Sequence, residues 1–439
     1  MDSTMNEVVQ FIEENDVKFI RLAFCDIFGN QKNIAIMPAE LPRAFEQGIH
    51  FNAAALRGFL NIEVSDLLLF PDPATLSVLP WRPSQGRVVR FYCDIRYPDG
   101  SPFEGDGRHI LRLASARARK LGYTVTMGTA SEFYLFELDE NGHPTMIPHD
   151  HGEYFDIAPL DKGENVRRQI CLTLEEMGIQ PESSHHEQGP GQHEIDFRYA
   201  DAIAAADNFL TFKSVVKSIA TASGLFASFL PKPLPDAPGN GLHLSISIHK
   251  NGQNLFCPQF STAQEGQSFV AGVLKHAAAS TIFGNPLTNS YARLGEFEAP
   301  KYITWSHQNR SPLITLPMTT LGSPSRMKVR AFDGCINPYI VFALIIHAGL
   351  DGIEQSMPLT PACDVNLFTA PPETVSLYQT LPVSLCEAVE YAQSSPFITG
   401  ILPERTRSCF FAAKQAEHDR IKAADDRTAA EHALYFERY

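Results

Sequence analysis

Residues 183–197 read Ser183-Ser184-His185-His186-Glu187-Gln188-Gly189-Pro190-Gly191-Gln192-His193-Glu194-Ile195-Asp196-Phe197, and the rest of the chain is organised around them. The Gly-Pro-Gly turn lies between two short segments, and a tight turn between two strands can direct Glu187 and Glu194 towards one point. Two converging carboxylates repel each other unless a proton or a cation lies between them, and oxygen ligands favour Mg²⁺ or Mn²⁺. The stretch predicts a divalent cation site, with a hairpin that carries solvated acidic side chains as the equal alternative.

The length and composition of the chain limit the classes of protein to which it can belong. At 439 residues it is too long for one small core, so two domains are expected. The formal net charge of -14 argues against binding to nucleic acid or to an anionic membrane surface, and no apolar run reaches the length of a transmembrane helix. The 8 cysteines are scattered without a C-x-x-C pair, as expected for buried thiols in a reducing cytoplasm. We therefore expect a cytoplasmic protein that binds neither nucleic acid nor membrane.

The amino-terminal part of the chain reads as a small sheet-rich domain. Alternating and β-prone segments predict strands at residues 17–24, 32–37, 64–70 and 87–93, and residues 48–59 read as a loop. The run Tyr97-Pro98-Asp99-Gly100-Ser101-Pro102 is rich in turn formers and marks the domain boundary. We place the two domains at residues 1–103 and 104–439.

The second domain has the pattern of an α+β fold. Predicted strands at residues 131–138, 193–199, 242–249 and 326–331 place polar residues on one face and apolar residues on the other. Helical spacing recurs at residues 107–121, 201–223, 268–283 and 338–355, so helices can cover the apolar face. The polar face can be solvated, but its mixture of His, Glu and Arg favours a polar cavity. Neither a P-loop nor a G-x-G-x-x-G motif occurs, so any nucleotide must be held without those loops.

A series of motifs in fixed order identifies the family that this chain resembles. They are Gly152-Glu153-Tyr154-Phe155-Asp156, His185-His186-Glu187 through Gly191-Gln192-His193-Glu194-Ile195, Asp207-Asn208 leading to Lys213, Pro231-Lys232-Pro233, Gly239-Asn240-Gly241-Leu242-His243, Asn289-Ser290-Tyr291-Ala292-Arg293-Leu294, Glu298-Ala299-Pro300, Asn309-Arg310-Ser311, Asn337-Pro338-Tyr339 and Ala348-Gly349-Leu350-Asp351-Gly352. Over nearly all of its length the chain resembles the glutamine synthetase family, in its bacterial type I-like branch.

This resemblance implies a fold, an assembly and a reaction. The fold is a β-grasp amino-terminal domain followed by a catalytic domain in which an antiparallel sheet with helices forms a funnel. The assembly is a homo-dodecamer of two stacked rings with sites between neighbours. The family makes a γ-glutamyl phosphate from glutamate and ATP and then displaces phosphate with ammonia, while two divalent metals neutralise the phosphates.

The resemblance also assigns roles to individual residues. Glu132, Glu187 and Glu194 match the three carboxylates of the first metal site, and His243 matches the histidine of the second. Arg293 and Arg330 match arginines that bind the glutamate carboxylate, which suits the bidentate geometry of a guanidinium. Further matches are Gly239 at the substrate amine region, Glu298 as the flap glutamate that shields the intermediate and accepts a proton from the amine, Arg310 and Arg326 near the ATP phosphates, and Ser247 near the nucleotide.

Three departures from the family concern the second metal and the phosphates. Ala130 and Lys328 stand where the family has two glutamates that bind the second metal, and Thr315 stands where it has a phosphate arginine. A lone His243 facing a lysine should not hold Mg²⁺, which prefers oxygen ligands. We therefore expect one Mg²⁺ or Mn²⁺ per chain, and we expect the Lys328 ammonium to occupy the place of the second if its side chain points inward.

Other departures concern the amine and its regulation. Asn52 and Ala55 stand where the family has the aspartate that helps to deprotonate ammonium and a following serine. Asparagine cannot take a proton at neutral pH, which favours an amine other than ammonia. Phe368 replaces the tyrosine that some members adenylylate, so that control is expected to be absent.

Three functions remain open from the sequence. The first is an ATP-dependent ligase that joins glutamate or a related acid to ammonia or an amine. The second is a non-catalytic or altered-activity homologue that keeps the assembly and a ligand pocket, as Ala130, Lys328 and Thr315 suggest. The third is a different transfer or hydrolysis reaction that uses a single metal in the same funnel.

Overall fold

A mixed six-stranded sheet forms the amino-terminal part of the chain in the computed structural model, which describes residues 3–82, 85–257, 264–317 and 326–439. The elements are α1 (Ser3–Glu14), β1 (Val17–Cys25), β2 (Gln31–Ile36), α2 (Leu41–Gln47), β3 (Ile49–Asn52), β4 (Asp66–Pro71), β5 (Ser77–Val78) and β6 (Arg87–Arg96). The strands follow the order β2-β1-β6-β4-β3, with β5 also paired to β6, and β1 runs parallel to β6.

The prediction of a loop over residues 48–59 was wrong in part. Residues Ile49–Asn52 form strand β3, which pairs antiparallel with β4, and a 3₁₀ turn follows at Ala53–Ala55. The strand is only four residues long, too short for its alternation to stand out in the sequence.

The second part is built on one large sheet and a layer of helices. Its elements are α3 (Gly107–Lys120), β7 (Tyr123–Leu138), β8 (Pro144–Pro148), α4 (Glu164–Glu176), β9 (Pro181–His186), β10 (Gln192–Phe197), β11 (Ala200–Asp201), α5 (Ala202–Ala222), β12 (Leu225–Ser228), β13 (Leu242–Lys250), β14 (Gln253–Asn254), α6 (Gln264–Gly284), β15 (Tyr302–Ser306), β16 (Pro312–Thr315), β17 (Met327–Phe332), α7 (Pro338–Glu354), α8 (Pro372–Val375), α9 (Leu385–Gln393), α10 (Pro396–Ile401), α11 (Glu404–Lys422) and α12 (Arg427–Tyr435).

The large sheet has eleven strands whose main path is β15-β16-β17-β13-β7-β10-β9. Neighbours pair antiparallel except β15 and β16, which run parallel. Apolar residues of β7 and β13 are buried together with helices α3, α5, α6 and α7 in one continuous core. Helix α7 is apolar on nearly all sides, and it packs against both α3 and α6. This is the α+β architecture expected from the sequence.

A buried arginine ties the two parts together. Arg108 of α3 lies 2.9 Å from Asp72 and 2.7 Å from Asp94, both on the amino-terminal side, and 2.9 Å from Asp207 of α5. Because its guanidinium is shared among three carboxylates, the amino-terminal sheet is held against the helices of the second part. Of the helices in the described ranges, none has the length and apolar character needed to cross a membrane.

Candidate active site

Polar side chains from neighbouring strands meet on one face of the large sheet, as the alternation predicted. In the backbone register Glu132 of β7 pairs with Glu194 of β10, which pairs with His185 of β9. We call these three residues the carboxylate rung. Directly paired residues of a sheet place their side chains on the same face, so the register alone brings two carboxylates and an imidazole together.

Two further rungs lie beside the carboxylate rung. Ala130 of β7 pairs with both His243 of β13 and Asp196 of β10, and these residues form the alanine rung. Lys328 of β17 pairs with Ser245 of β13 and with Thr315 of β16, and these residues form the lysine rung. The three rungs form the floor of the site, and all of their residues except Ala130 and Ser245 line the cavity above it.

A cavity of about 650 Å³ opens above this face. It is lined by most of the residues that the sequence singled out, namely Glu132, Glu187, Glu194, Gly239, His243, Arg293, Glu298, Arg310, Thr315, Arg326, Lys328 and Arg330. Lys328 therefore lines the cavity, as does Thr315. Ser247 lies farther along β13 and is not among the lining residues.

The acidic residues crowd around Glu194. Its ligand atoms lie within 4.8 Å of those of Glu132 and His243, and in a second group within 4.8 Å of those of His185 and Glu187. Burial, followed by the charge of Glu187, raises the pKa of Glu132 to about 7. Burial and then the charge of Glu132 raise the pKa of Glu194 well above its usual value. A bound cation would relieve this repulsion.

The donors form two groups that share Glu194, and each offers carboxylate and imidazole ligands to a divalent cation. Glu132 is oriented by the backbone N–H of Gly241 at 2.7 Å and by the Gln192 amide at 3.3 Å. His185 Nε2 lies 2.9 Å from Glu187 Oε1. Carboxylate oxygens with imidazole nitrogens suit Mn²⁺, and Mg²⁺ can use the carboxylates alone with water. His243, which the resemblance assigns to a second metal, lies in the same group as Glu132 and Glu194.

The surroundings of His243 do not fit a second cation. Its strand partner Ala130 offers no ligand. Burial and then the charges of Arg330 and Lys328 hold the pKa of His243 well below its usual value. Burial also lowers the pKa of Lys328, and the charges of Glu194 and Asp196 oppose that shift. The lysine ammonium is thus the local positive charge beside these carboxylates.

Two almost fully buried arginines, Arg293 and Arg330, line the cavity. Arg293 donates through Nη2 to the carbonyl oxygen of Phe332 at 2.8 Å, whereas its Nε has no hydrogen-bond partner. The Nε of Arg330 is likewise buried without a partner. Both side chains are almost fully buried. Because both guanidinium groups line the cavity and carry positive charge, this end of the cavity is suited to a carboxylate or a phosphate oxygen.

The remaining arginines are engaged with tyrosines. Arg326 donates to the Tyr199 hydroxyl, and its guanidinium carbon lies 4.8 Å from the centre of that ring. Arg310 is exposed and interacts with the side chain of Tyr154 at the mouth of the cavity. These contacts leave both guanidinium groups at the cavity edge, where each has further donors for an anion.

Two loops complete the cavity wall. A Cβ atom on Gly239 would lie 2.3 Å from the Pro231 carbonyl oxygen and 2.6 Å from Arg293 Cγ, so only glycine fits there. Phe297 and Glu298 have φ angles of 43° and 67°, in the left-handed region that non-glycine residues rarely adopt. Such strain is typical of functional loops.

The amino-terminal departures lie away from this cavity. Asn52 is exposed at the end of β3, where its side chain accepts a hydrogen bond from Ala54 N at 3.0 Å, and Ala55 is also exposed. Neither residue is among those that line the cavity of the same chain.

Sequence reasoning missed several contributors to the site. His185 and Asp196 line the cavity but were not selected, and Tyr154 was noted only as part of a motif. The alternation of β9 and β10 was the available signal, because it places His185 and Asp196 on the same face as Glu194.

Comparison with known proteins identifies the family. Residues 16–98 match the family described as "Glutamine synthetase, beta-Grasp domain", and residues 104–433 match "Glutamine synthetase, catalytic domain". The glutamine synthetase of Methanosarcina mazei is 44% identical over 427 residues, which cover 96% of this chain and 95% of that protein. The glutamine synthetase of Clostridium saccharobutylicum is 43% identical over 422 residues, with 95% of each covered.

The chain belongs to the glutamine synthetase family. Its fold is therefore a β-grasp domain followed by the glutamine synthetase catalytic domain, and it is an ATP-dependent ligase of this type. A solved structure described as "GmaS/ADP complex-Conformation 1" superposes with a TM-score of 0.86 at 29% identity and covers 98% of this chain and 99% of that one. The cryo-EM structure of Plasmodium falciparum glutamine synthetase gives a TM-score of 0.84 at 25% identity, with 98% of each chain covered. The exact domain boundary between residues 103 and 104 stays a prediction.

Proposed function

We propose that this chain joins glutamate, or a closely related acid, to an amine through an acyl phosphate formed from ATP. The observation that carries the proposal is the arrangement of opposite charges in one cavity. Cation ligands converge on Glu194, and the almost fully buried, positively charged side chains of Arg293 and Arg330 line the same cavity. A site of this kind suits an acidic substrate beside a nucleotide phosphate.

The residues divide into three groups of roles. Arg293 and Arg330 bind the carboxylate of the acid, and the backbone at Gly239 lies against its amino end. Arg310, Arg326 and Ser247 contact the nucleotide. A structural neighbour is described as an ADP complex, which supports a nucleotide site in this fold. A Mg²⁺ or Mn²⁺ ion held by Glu132, Glu187 and Glu194 would neutralise phosphate charge when bound.

Glu298 takes the proton that the amine loses. It lies on the exposed 295–299 loop at the cavity mouth, where its carboxylate can shield the acyl phosphate from water.

An amine larger than ammonia is the better candidate for the second substrate. Asn52 lacks the negative charge that the family's aspartate offers to ammonium, whereas a larger amine can also be held through its organic substituent. In the proposed cytoplasmic homo-dodecamer the exposed Asn52 and Ala55 face the cavity of a neighbouring chain. Light scattering at micromolar concentration should give the mass of twelve chains, and a monomer or dimer would contradict this assembly.

The test is metal-dependent release of phosphate from ATP with glutamate and a panel of amines. We expect release that requires both the acid and an amine, with ammonia among the weaker substrates. Glu187→Ala should abolish it, and Asn52→Asp should raise the use of ammonia relative to other amines. Release that is indifferent to the amine would contradict the proposal.

A second candidate is an altered-activity homologue that binds the ligands without completing the ligation. Ala130, Lys328 and Thr315 favour it, because they remove a metal ligand pair and a phosphate contact. Calorimetric binding of ATP and glutamate without any phosphate release across the amine panel would support this candidate.

A further inference from the structure

The 295–299 loop holds Glu298 in a strained conformation. Gly295, Phe297 and Glu298 all have positive φ angles, of 91°, 43° and 67°. The loop is closed by hydrogen bonds from Gly295 N to the Ala299 carbonyl at 2.8 Å and from Ala299 N to the Glu296 carbonyl at 2.9 Å. Local hydrogen bonds fix its base, while Phe297 and Glu298 at its tip are exposed and line the cavity.

Lys232 is the contact that reaches this tip. Its ammonium lies 4.5 Å from the centre of the Phe297 ring and donates to the Ala237 carbonyl at 2.7 Å. Lys232 is only 6% exposed, and within the described ranges its ammonium forms no ion pair. A desolvated ammonium gains more from an aromatic ring than an exposed one does.

The backbone of Lys232 is itself fixed. Asn289 accepts from Lys232 N at 2.6 Å and donates to the Lys232 carbonyl at 3.0 Å. Residues 231–239 lead to Gly239, and Tyr134 holds this loop through the Pro238 carbonyl at 2.6 Å. The 231–239 loop is therefore the rigid partner, and the 295–299 loop is the one that depends on the contact.

We propose that Lys232 is a positioning residue that latches the 295–299 loop to the 231–239 loop through Phe297. The latch holds Glu298 in the wall of the cavity, which Gly239 also lines. The catalytic consequence rests on the proposed ligase function, whereas the latch itself does not.

The consequence concerns water. With the latch closed, Glu298 covers the acyl phosphate until the amine attacks. With the latch open, water attacks the acyl carbon, the bond from that carbon to the phosphate oxygen breaks, and phosphate leaves with the free acid regenerated. ATP is then consumed without amide formation.

Hydrogen exchange of the full-length protein tests the latch without reference to activity. Phe297→Leu removes the ring but leaves the bond from Lys232 to Ala237, and we expect exchange of the 295–299 amides to rise about tenfold, as loss of a desolvated cation–π contact implies. Lys232→Met should have the same effect. Phe297→Tyr and Lys232→Arg keep a ring and a cation, so they should exchange like the parent. Unchanged protection in Phe297→Leu, or equal loss in all four variants, would overturn the latch.

A second measurement links the latch to chemistry. In an assay with acid, amine and ATP, the ratio of phosphate released to amide formed should increase severalfold in Phe297→Leu and stay near one in Phe297→Tyr. If Phe297→Leu changes only the KM for the acid and leaves the ratio of phosphate to amide unchanged, the contact between Phe297 and Lys232 does not protect the acyl phosphate, and the proposed consequence is wrong. If no variant and no parent makes amide, the ligase proposal fails, while the exchange experiment still decides the latch.

Discussion

The carboxylate rung differs in chemistry from the alanine and lysine rungs, which lie beside it on the same sheet. In the first, Glu132 and Glu194 are paired in register. Burial and then the charge of Glu187 raise the pKa of Glu132, and burial and then the charge of Glu132 raise the pKa of Glu194. In the second, Ala130 stands between His243 and Asp196, and the ammonium of Lys328 lies beyond it.

The comparison shows that two substitutions, Ala130 and Lys328 in place of the family's glutamates, are enough to change the charge of this part of the site. Two glutamates with a divalent cation sum to about zero charge, whereas an alanine and a lysine sum to about plus one. A lysine ammonium can contact an anionic ligand directly, but it cannot bridge several phosphate oxygens as a metal ion does. The carboxylate rung therefore keeps a place for a cation, and Lys328 of the lysine rung supplies a positive charge that is part of the chain.

Loss of the shared carboxylate should have the largest effect. Glu194→Gln removes a charge common to both ligand groups, and we expect Mn²⁺ affinity to fall by more than roughly 100-fold, since even indirect supports of a metal site cost 10- to 100-fold. Isothermal titration at constant pH measures this. Glu176→Gln, on the exposed end of α4, is the matched control. Retained affinity in Glu194→Gln would place the cation elsewhere.

Converting the alanine and lysine rungs into carboxylates should add a second ion. In Ala130→Glu with Lys328→Glu, the two new carboxylates flank His243, and we expect the Mn²⁺ count to rise from one to two per chain. Anomalous scattering from Mn²⁺-soaked crystals would locate the second ion. In the single Ala130→Glu variant the new carboxylate should pair with Lys328 instead, and the count should stay at one. A second ion beside His243 in the parent would refute the contrast between the rungs.

Removal of the lysine charge should weaken anion binding by an intermediate amount. Lys328→Ala deletes a half-buried ammonium on the cavity floor, and a charge-assisted contact is worth about 1.5–3 kcal/mol. Calorimetry with glutamate and with ATP would show which ligand loses affinity. Lys328→Arg keeps the positive charge and should retain most of the ligand affinity. Unchanged affinity for both ligands in Lys328→Ala would mean that the ammonium serves only Glu194 and Asp196.

The elements of the fold could be predicted where alternation and burial agree. Residues 242–249 were predicted as a strand and lie in β13, because Leu244 and Ile246 are fully buried against helices while His243 faces the cavity. Strand β7 begins at Tyr123, well before the predicted start at residue 131, since pairing with the whole of β13 outweighs the weak alternation there.

The candidate site could be predicted in its membership but not in its pairing. Motif order selected Glu132, Glu194 and Lys328, and all three line the cavity. Which residue lies beside which depends on strand register, which is set by long-range pairing. The positions of Asp196 next to Ala130 and of Phe297 against Lys232 arise from that tertiary arrangement.

The smallest expected effect is at His243, and it decides whether this histidine is a ligand of the cation at the carboxylate rung. Burial and Arg330 keep His243 neutral, so His243→Gln removes a ligand without changing the net charge. We expect Mn²⁺ affinity to fall by about tenfold, less than in Glu194→Gln, because a neutral ligand contributes no Coulombic attraction. Mg²⁺ affinity should change little, since Mg²⁺ replaces nitrogen ligands with water readily. The ratio of the two affinities, measured by competition in one titration, therefore reports direct ligation. If neither ion responds, His243 belongs functionally with Ala130 and Lys328, and the cation is held by the carboxylates alone.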